Sequence, residues 1–235
     1  MDELALGGTG QHSAWGRINN PLDSTRMPGG SSSGSVATFT SNIGLAIGSD
    51  TGNSVRLPAS YCGLVGFKPS YGAVSRYGMF AFACSLDTLS PTVKKAYLAL
   101  KEKLVQDGIE AEIVNLEEQI FELIDPTYEV ISYSEASSND ANLAGVNFGK
   151  RVEGEDWSQM MLKTRSQHLG KMVQRRFTLG AYYLLRENQA EIFLRAQKVR
   201  RLIHNRYNQI FDQYDVLVFP TTTVAPTWKQ GKPNL

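Results

Sequence analysis

Cysteine is nearly absent: Cys62 and Cys84 are the only two in 235 residues. Two thiols this far apart do not make a disulfide framework, and they read as reduced cysteines of a cytosolic protein. Histidine is equally scarce. His12, His168 and His204 stand in no metal-ligand spacing, so no metal site is expected and they read as core or surface residues. An excess of charge of either sign is missing too. Lys and Arg number 24 against 23 Asp and Glu, a net charge of +1, so no global field draws the chain to nucleic acid or to an anionic membrane. No apolar run approaches the ~18–20 residues of a membrane span. The opening "MDELALGGTG" has no basic stretch ahead of an apolar one, so it is not a signal peptide. Cytoplasm, or an organellar matrix in a eukaryote, is the expected location. Met1 runs straight into patterned sequence, which points to a segment missing before it.

What is present is an ordinary globular balance, 42% hydrophobic and 20% charged, enough for a proper core. The chain reads as a single domain, 1–235, in three textures. Residues 1–90 are rich in Gly, Ser and Thr. "NIGLAIGSD" (Asn42–Asp50) and "YCGLVGFKPSYG" (Tyr61–Gly72) read there as buried strands, the second stopped by Pro69. In residues 91–126, Ser90 reads as an N-cap and Pro91 as the first helical residue. Val93, Ala96, Tyr97, Leu100 and Leu104 keep helical spacing, and Gly108 closes the helix. "IEAEIVNL" (Ile109–Leu116) alternates as a half-buried strand. Residues 127–235 read as mostly helical, with 155–212 basic, and end in a buried strand. Ile192, Phe193, Ala196, Val199, Ile203, Tyr207, Ile210 and Phe211 form an apolar stripe, and "YDVLVFP" (Tyr214–Pro220) reads as a buried strand. Tyr182–Tyr183 reads as helix packing, and the basic stretch Arg195–Arg206 as a solvated helix face.

Two runs carry the chemistry. "PGGSSSGSVATF" (Pro28–Phe39) is either a flexible linker or a turn that brings backbone and hydroxyls close to a reacting group. A phosphate cradle drops out, because no Lys follows the glycines. Downstream, "GSDTGNSVRLPAS" (Gly48–Ser60) turns through Thr51-Gly52-Asn53 and presents Ser54. Gly and Asn tolerate positive φ, so the turn is able to aim several N–H groups into one space. Acyl transfer needs that arrangement, a serine nucleophile beside amide donors for the oxyanion. The first run supplies serines to relay a proton but no base.

With "YCGLVGFKPSYGAVSRYG" added, these runs resemble the signature core of the amidase signature family. "MDELALG", "NPLDSTRMPGGSS", "VSRYGMFAFACSLD", "SYSEASSN", "RRFTLG", "AQKVRRLI" and "YDVLVFPTTT" are most similar to the A subunits of the aspartyl/glutamyl-tRNA amidotransferases within it. The resemblance implies an α/β fold, a mixed β-sheet flanked by helices on both faces. It implies a Ser–cis-Ser–Lys triad, with Ser54 as the acyl-enzyme nucleophile and Ser31, on a cis peptide after Gly30, as the relay. The backbone of Thr51, Gly52 and Asn53 becomes the oxyanion hole, and Arg176, with Arg175 second, holds the carboxylate of glutamine. For Arg176 a helix-surface salt bridge is the competing reading. The implied partners are subunits B and C and, through the complex, a misacylated tRNA. No cofactor is implied here; ATP and magnesium belong to the partner.

The chain departs from that pattern in four ways. The family's triad lysine lies on a segment upstream of "MDE", and no lysine precedes Ser31 here, the first being Lys68, which reads as structural. The Ser31 to Ser54 spacing is one residue short, by a deletion near Ser41–Gly44 or by a shifted register that leaves the relay open among Ser31, Ser32 and Ser33. Asn53 replaces a glycine. The middle passes from "SLDTLSP" directly to "TVKKAYLALKEKL", skipping a stretch, and the chain ends before the family's last strands and the acidic residue expected to hold the glutamine amine. A general amidase without a tRNA partner and a catalytically impaired remnant with a structural or binding role therefore stay open beside the amidotransferase component.

Overall fold

The computed structural model describes residues 1–39, 43–86, 88–93, 107–108, 114, 117–146, 148–217 and 226–228. They fall into two compact units, one of Met1–Arg76, Thr88–Glu122 and Val218–Asn234, the other of Tyr77–Asp87 and Leu123–Leu217.

In the first unit β1 (Leu45–Asp50), β2 (Val65–Gly66) and β3 (Thr88–Val93) form a sheet in the order β1-β3-β2. Both pairings are antiparallel, with Leu45 opposite Val93 and Asp50 opposite Thr88 on the β1 side. Among the described residues the sheet thus has three strands. Two short helices, α1 (Ser33–Ala37) and α2 (Arg56–Tyr61), follow the two Gly/Ser turns. Leu6, Val36, Val55 and Ala59 are fully buried between these pieces.

Three sequence expectations change here. The Asn42–Asp50 run does contain a strand, but it is not buried: Leu45 and Ile47 are 57% and 66% exposed. An apolar run looks the same in sequence whether or not another layer covers it. In Tyr61–Gly72, Tyr61 ends α2 and only Val65–Gly66 is strand, because Gly63 at φ +66° turns the chain between them. Ser90 and Pro91 open no helix. Both lie in β3, with Pro91 opposite Ile47, since the φ that proline fixes suits an extended chain as well as a first helical turn. Val93, expected on the helix, is also in β3, opposite Leu45. The rest of that helix and of the Ile109–Leu116 strand lies outside the described residues, apart from Asp107, Gly108 at φ +77° and Val114, which is in no strand.

The second unit is helical: α3 (Glu118–Asn139, entering the unit at Leu123), α4 (Trp157–His168), α5 (Lys171–Leu184) and α6 (Phe193–Phe211). Asp156 caps α4 by accepting from the Gln159 N–H at 2.8 Å. Helix α5 crosses α3 at Gly180, where any Cβ would overlap the Tyr133 carbonyl, and Ser137 Oγ donates to the Phe177 carbonyl at 2.9 Å. The α6 stripe holds, with Ala196 and Ile210 buried, except that Phe211 is half exposed. Residues 214–217 of the expected final strand are irregular and Val216 is exposed; 218–220 lie outside the described residues. A β-branched run is a propensity that becomes a strand only when a neighbour pairs with it.

Three of the quoted motifs meet in this unit. Glu135 of "SYSEASSN" accepts from the Ser85 N–H at 2.9 Å and from its hydroxyl. Arg200 of "AQKVRRLI" donates to Ser85 Oγ and to its carbonyl at 3.1 and 3.2 Å. Asn139 donates to the Phe82 carbonyl at 2.9 Å. Arg200 therefore points into the unit, while Arg195 stays on the surface in an ion pair with Glu191 at 3.9 Å.

Candidate active site

The two Gly/Ser runs come together in the first unit. The Ser32 N–H donates to the Ser54 carbonyl at 3.1 Å, and Ser32 Oγ donates to the Ser49 carbonyl at 3.1 Å. These bonds tie the start of α1 to the end of β1 and the turn after it. Gly48 permits the approach, since a Cβ there would sit 2.5 Å from Ser32 Oγ. The peptide between Gly30 and Ser31 is cis, as the resemblance implied. Gly29 has φ +75°, and a Cβ on it would come within 3.0 Å of Pro58 Cα, so glycine is required there for conformation and for space.

The three serines are not equivalent. Ser31, Ser32 and Ser33 are all buried. Ser32 commits its hydroxyl to Ser49, and Ser33 donates to the Ser31 carbonyl at 3.4 Å. The Ser31 hydroxyl is buried and has no hydrogen-bond partner among the described residues. Leaving a buried hydroxyl unpaired costs roughly 1–3 kcal/mol, so the Ser31 position asks for a partner, whether water, a ligand or a reacting group.

Ser54 is 6% exposed and lies two residues before α2, while Asn53 beside it is exposed. Among the described residues, no acceptor takes the N–H groups of Gly52, Asn53 or Ser54. The turn is not built as the sequence suggested, since neither Gly52 nor Asn53 has a positive φ. A buried carboxylate closes it instead. Asp50 accepts from the N–H groups of Val55 and Arg56 at 3.0 and 3.3 Å. Arg56 Nε and Nη2 reach the same carboxylate at 3.1 and 3.0 Å, and Nη2 also donates to the Gly52 carbonyl. Because Asp50 gathers these donors from the far side, the turn needs no left-handed residue.

A second carboxylate does the same for the preceding loop. Asp2 is fully buried. Its Oδ2 accepts from Thr9 and Gly10 N–H, each at 3.2 Å, and its Oδ1 from His12 N–H at 2.9 Å. Its own N–H donates to the Ser31 carbonyl at 2.9 Å. Asp2, Asp50 and Arg56 were not singled out by sequence reasoning; the available signal was an acid four residues before Ser54 with an arginine two after it. Lys68 donates to the Pro69 carbonyl at 3.0 Å, a local structural contact.

Arg175 and Arg176 belong to the second unit, on α5. Arg175 is exposed. Arg176 is half-buried, with its guanidinium 4.9 Å from the centre of the Tyr133 ring and its Nε buried without a partner. Among the described residues neither arginine makes an ion pair. Burial raises the Tyr133 phenol above its ordinary value; Arg176 opposes the shift and Glu129 adds to it. Tyr182 and Tyr183 meet edge to face at 6.1 Å. Among the described residues no cluster of three or more His, Cys, Asp or Glu is placed to hold a metal.

A buried serine pair held by glycine turns defines an amidase-type frame, and the chain belongs to the amidase family, whose model matches residues 1–92 and 85–234. The two matched segments meet at 85–92, in the "SLDTLSP" run. More particularly, the A subunit of the glutamyl-tRNA(Gln) amidotransferase of Natranaerobius thermophilus is 37% identical over 289 aligned positions, covering 99% of this chain and 59% of its own length. That alignment is longer than the 235-residue chain, so the relative carries a stretch that this chain lacks. The corresponding protein of Wolinella succinogenes is 35% identical, covering 96% of this chain and 63% of its own. The crystal structure of the glutamyl-tRNA(Gln) amidotransferase A subunit from Thermotoga maritima matches with a TM-score of 0.65 at 31% identity, covering 99% of this chain and 59% of that one. The chain thus spans about three fifths of the length of these relatives, and its fold is that of amidase-signature enzymes.

Proposed function

We propose that this chain is the amide-hydrolysing part of a tRNA-dependent amidotransferase, its A component, acting on glutamine through a serine acyl-enzyme. The observation that carries this reading is the joined serine pair: the Ser31 hydroxyl is buried, with no partner among the described residues, in the turn whose next N–H bonds the Ser54 carbonyl. Ser54 Oγ would attack the side-chain carbonyl carbon of glutamine, forming the ester C–O bond. The oxyanion would take the N–H groups of the Thr51–Ser54 turn, of which those on Gly52, Asn53 and Ser54 have no acceptor among the described residues. The Ser54 proton passes through Ser31 Oγ to the leaving nitrogen as the C–N bond breaks, releasing ammonia. Water then cleaves the ester to glutamate. The family resemblance offers Arg176, seconded by Arg175, for the substrate carboxylate; the Arg176 Nε is buried and has no partner among the described residues.

In this reading the ammonia is consumed by subunits B and C to amidate a misacylated tRNA, with ATP and magnesium bound there. The setting is the cytoplasm or an organellar matrix; among the described residues no helix is long and apolar enough to cross a membrane. A second reading, a scaffold without chemistry, draws on one observation. The Lys68 ammonium donates to the Pro69 carbonyl at 3.0 Å, and a lysine spent on a local contact is not free to take the serine proton; losing a positioned base costs ~10²–10⁴ in rate. Ammonia release from glutamine by the wild-type chain beside Ser54→Ala and Ser31→Ala separates the two. Release that vanishes in Ser54→Ala supports the enzyme, and equal background in all three supports the scaffold.

A further inference from the structure

Asp2 has no part in the acyl-transfer steps above, yet its backbone N–H holds the Ser31 carbonyl. Its side chain is fully buried. Through Oδ2 and Oδ1 it collects the N–H groups of Thr9, Gly10 and His12, folding the loop Gly7–His12 around itself. The loop is fitted to it on both flanks. A Cβ on Gly7 would stand 2.5 Å from Asp2 Cβ, Cγ and Oδ2, and a Cβ on Gly30 would overlap Oδ2 and approach Thr9 N at 3.0 Å. The carboxylate is therefore wedged between that loop and the α-carbon directly before Ser31. The Asp2 N–H at the same time holds the Ser31 carbonyl at 2.9 Å, whose other donor is Ser33 Oγ at 3.4 Å. With its carbonyl fixed from two sides and its hydroxyl left uncommitted, Ser31 has its backbone determined by Asp2 and its side chain free for another group.

We propose that Asp2 is a positioning residue for the serine relay, clamping the Gly30–Ser31 backbone against the Gly7–His12 loop so that the Ser31 hydroxyl is held for Ser54. This rests on the serine-nucleophile reading above. Asparagine at position 2 keeps the size and the backbone N–H but presents an NH₂ group where one oxygen accepted, leaving a donor facing donors. The loop then loosens and the relay is misplaced, which lowers the chemical step rather than the affinity for a small reagent.

The test is inactivation of the full chain by an alkyl fluorophosphonate, resolved into a binding constant KI and a chemical rate constant kinact. Wild type is compared with Ser54→Ala, Asp2→Asn and Ile210→Ala, the last a destabilising core change within the second unit. The expected result is Ser54-dependent labelling in wild type, kinact at least about tenfold lower in Asp2→Asn with KI within about twofold, and wild-type kinact in folded Ile210→Ala. If Asp2→Asn lacks a folded circular-dichroism spectrum, Gly7→Ala, which displaces the carboxylate without removing it, takes its place with the same expectation. Ser54-dependent labelling in wild type with unchanged kinact in the folded Asp2 or Gly7 variant overturns the positioning role alone. A drop in kinact that Ile210→Ala shows equally overturns it as well, by reducing it to stability. No Ser54-dependent labelling in wild type overturns the serine reading, and the Asp2 role with it.

Discussion

The two units of this chain are held together by different means. In the first, buried carboxylates do much of the organising: Asp2 gathers Thr9, Gly10 and His12, and Asp50 gathers Val55, Arg56 and the Arg56 guanidinium. In the second, helices with apolar stripes pack through Ile131, Val173, Phe177 and Ile210, with Gly180 setting one crossing and the Ser85–Glu135–Arg200 bonds another join. A hydrogen bond to a charged acceptor is worth ~1.5–3 kcal/mol and is directional, whereas apolar packing is stronger in sum but tolerant of shape. The first unit thus fixes the placement of a few backbone atoms, as a reaction site requires. The second is built for bulk stability.

The sharpest way to break that contrast is to empty the helical core. Ile131→Ala, at a position 1% exposed, is expected to cost about 3 kcal/mol, read as a lower denaturation midpoint, with Ser54 labelling unchanged while the chain stays folded. Next comes Asp50→Asn. It turns one acceptor of the turn into a donor and weakens the bond to Arg56, an expected loss of about 2 kcal/mol, but here Ser54 labelling falls by more than the stability change explains. An Asp50→Asn chain that labels like wild type would erase the distinction between the units.

A smaller effect separates the two cysteines. Burial pushes the Cys62 thiol up to about 12 from an ordinary 9.0. Its folded pKa lies above the unfolded one, so its contribution to stability is full below about pH 9 and is lost as pH rises from there toward about 12. The thermal midpoint of wild type should therefore fall more steeply than that of Cys62→Ala between pH 9 and 11, and parallel curves would refute it. The smallest effect is expected for Arg195→Ala. Its ion pair with Glu191 spans 3.9 Å with side chains 73% and 78% exposed, so under about 0.5 kcal/mol is expected, and a shift above 1 kcal/mol in a denaturant titration would contradict that.

The same contrast explains what was legible in the sequence. The α6 stripe was readable because a 3.6-residue period is a local property of the chain. The serine turns were readable through composition and family resemblance, and the structure joins them at Ser32 and Ser54. Asp2 and Asp50 were not, since an acid that collects distant N–H groups leaves no periodic trace. The false helix start at Ser90-Pro91 shows the opposite limit, since capping residues state a preference that pairing of β3 with β1 overrides. Of the strand expected over Tyr214–Pro220, residues 214–217 are irregular, so an apolar run is a preference and not a strand by itself.

The central claim is that Ser54 is a built nucleophile, and the most direct measurement is intact-mass and peptide mass spectrometry of the chain after exposure to an alkyl fluorophosphonate. The expected outcome is one adduct, located on Ser54, absent in Ser54→Ala and formed more slowly in Ser31→Ala. An adduct on another residue, or none on the folded chain, would contradict it.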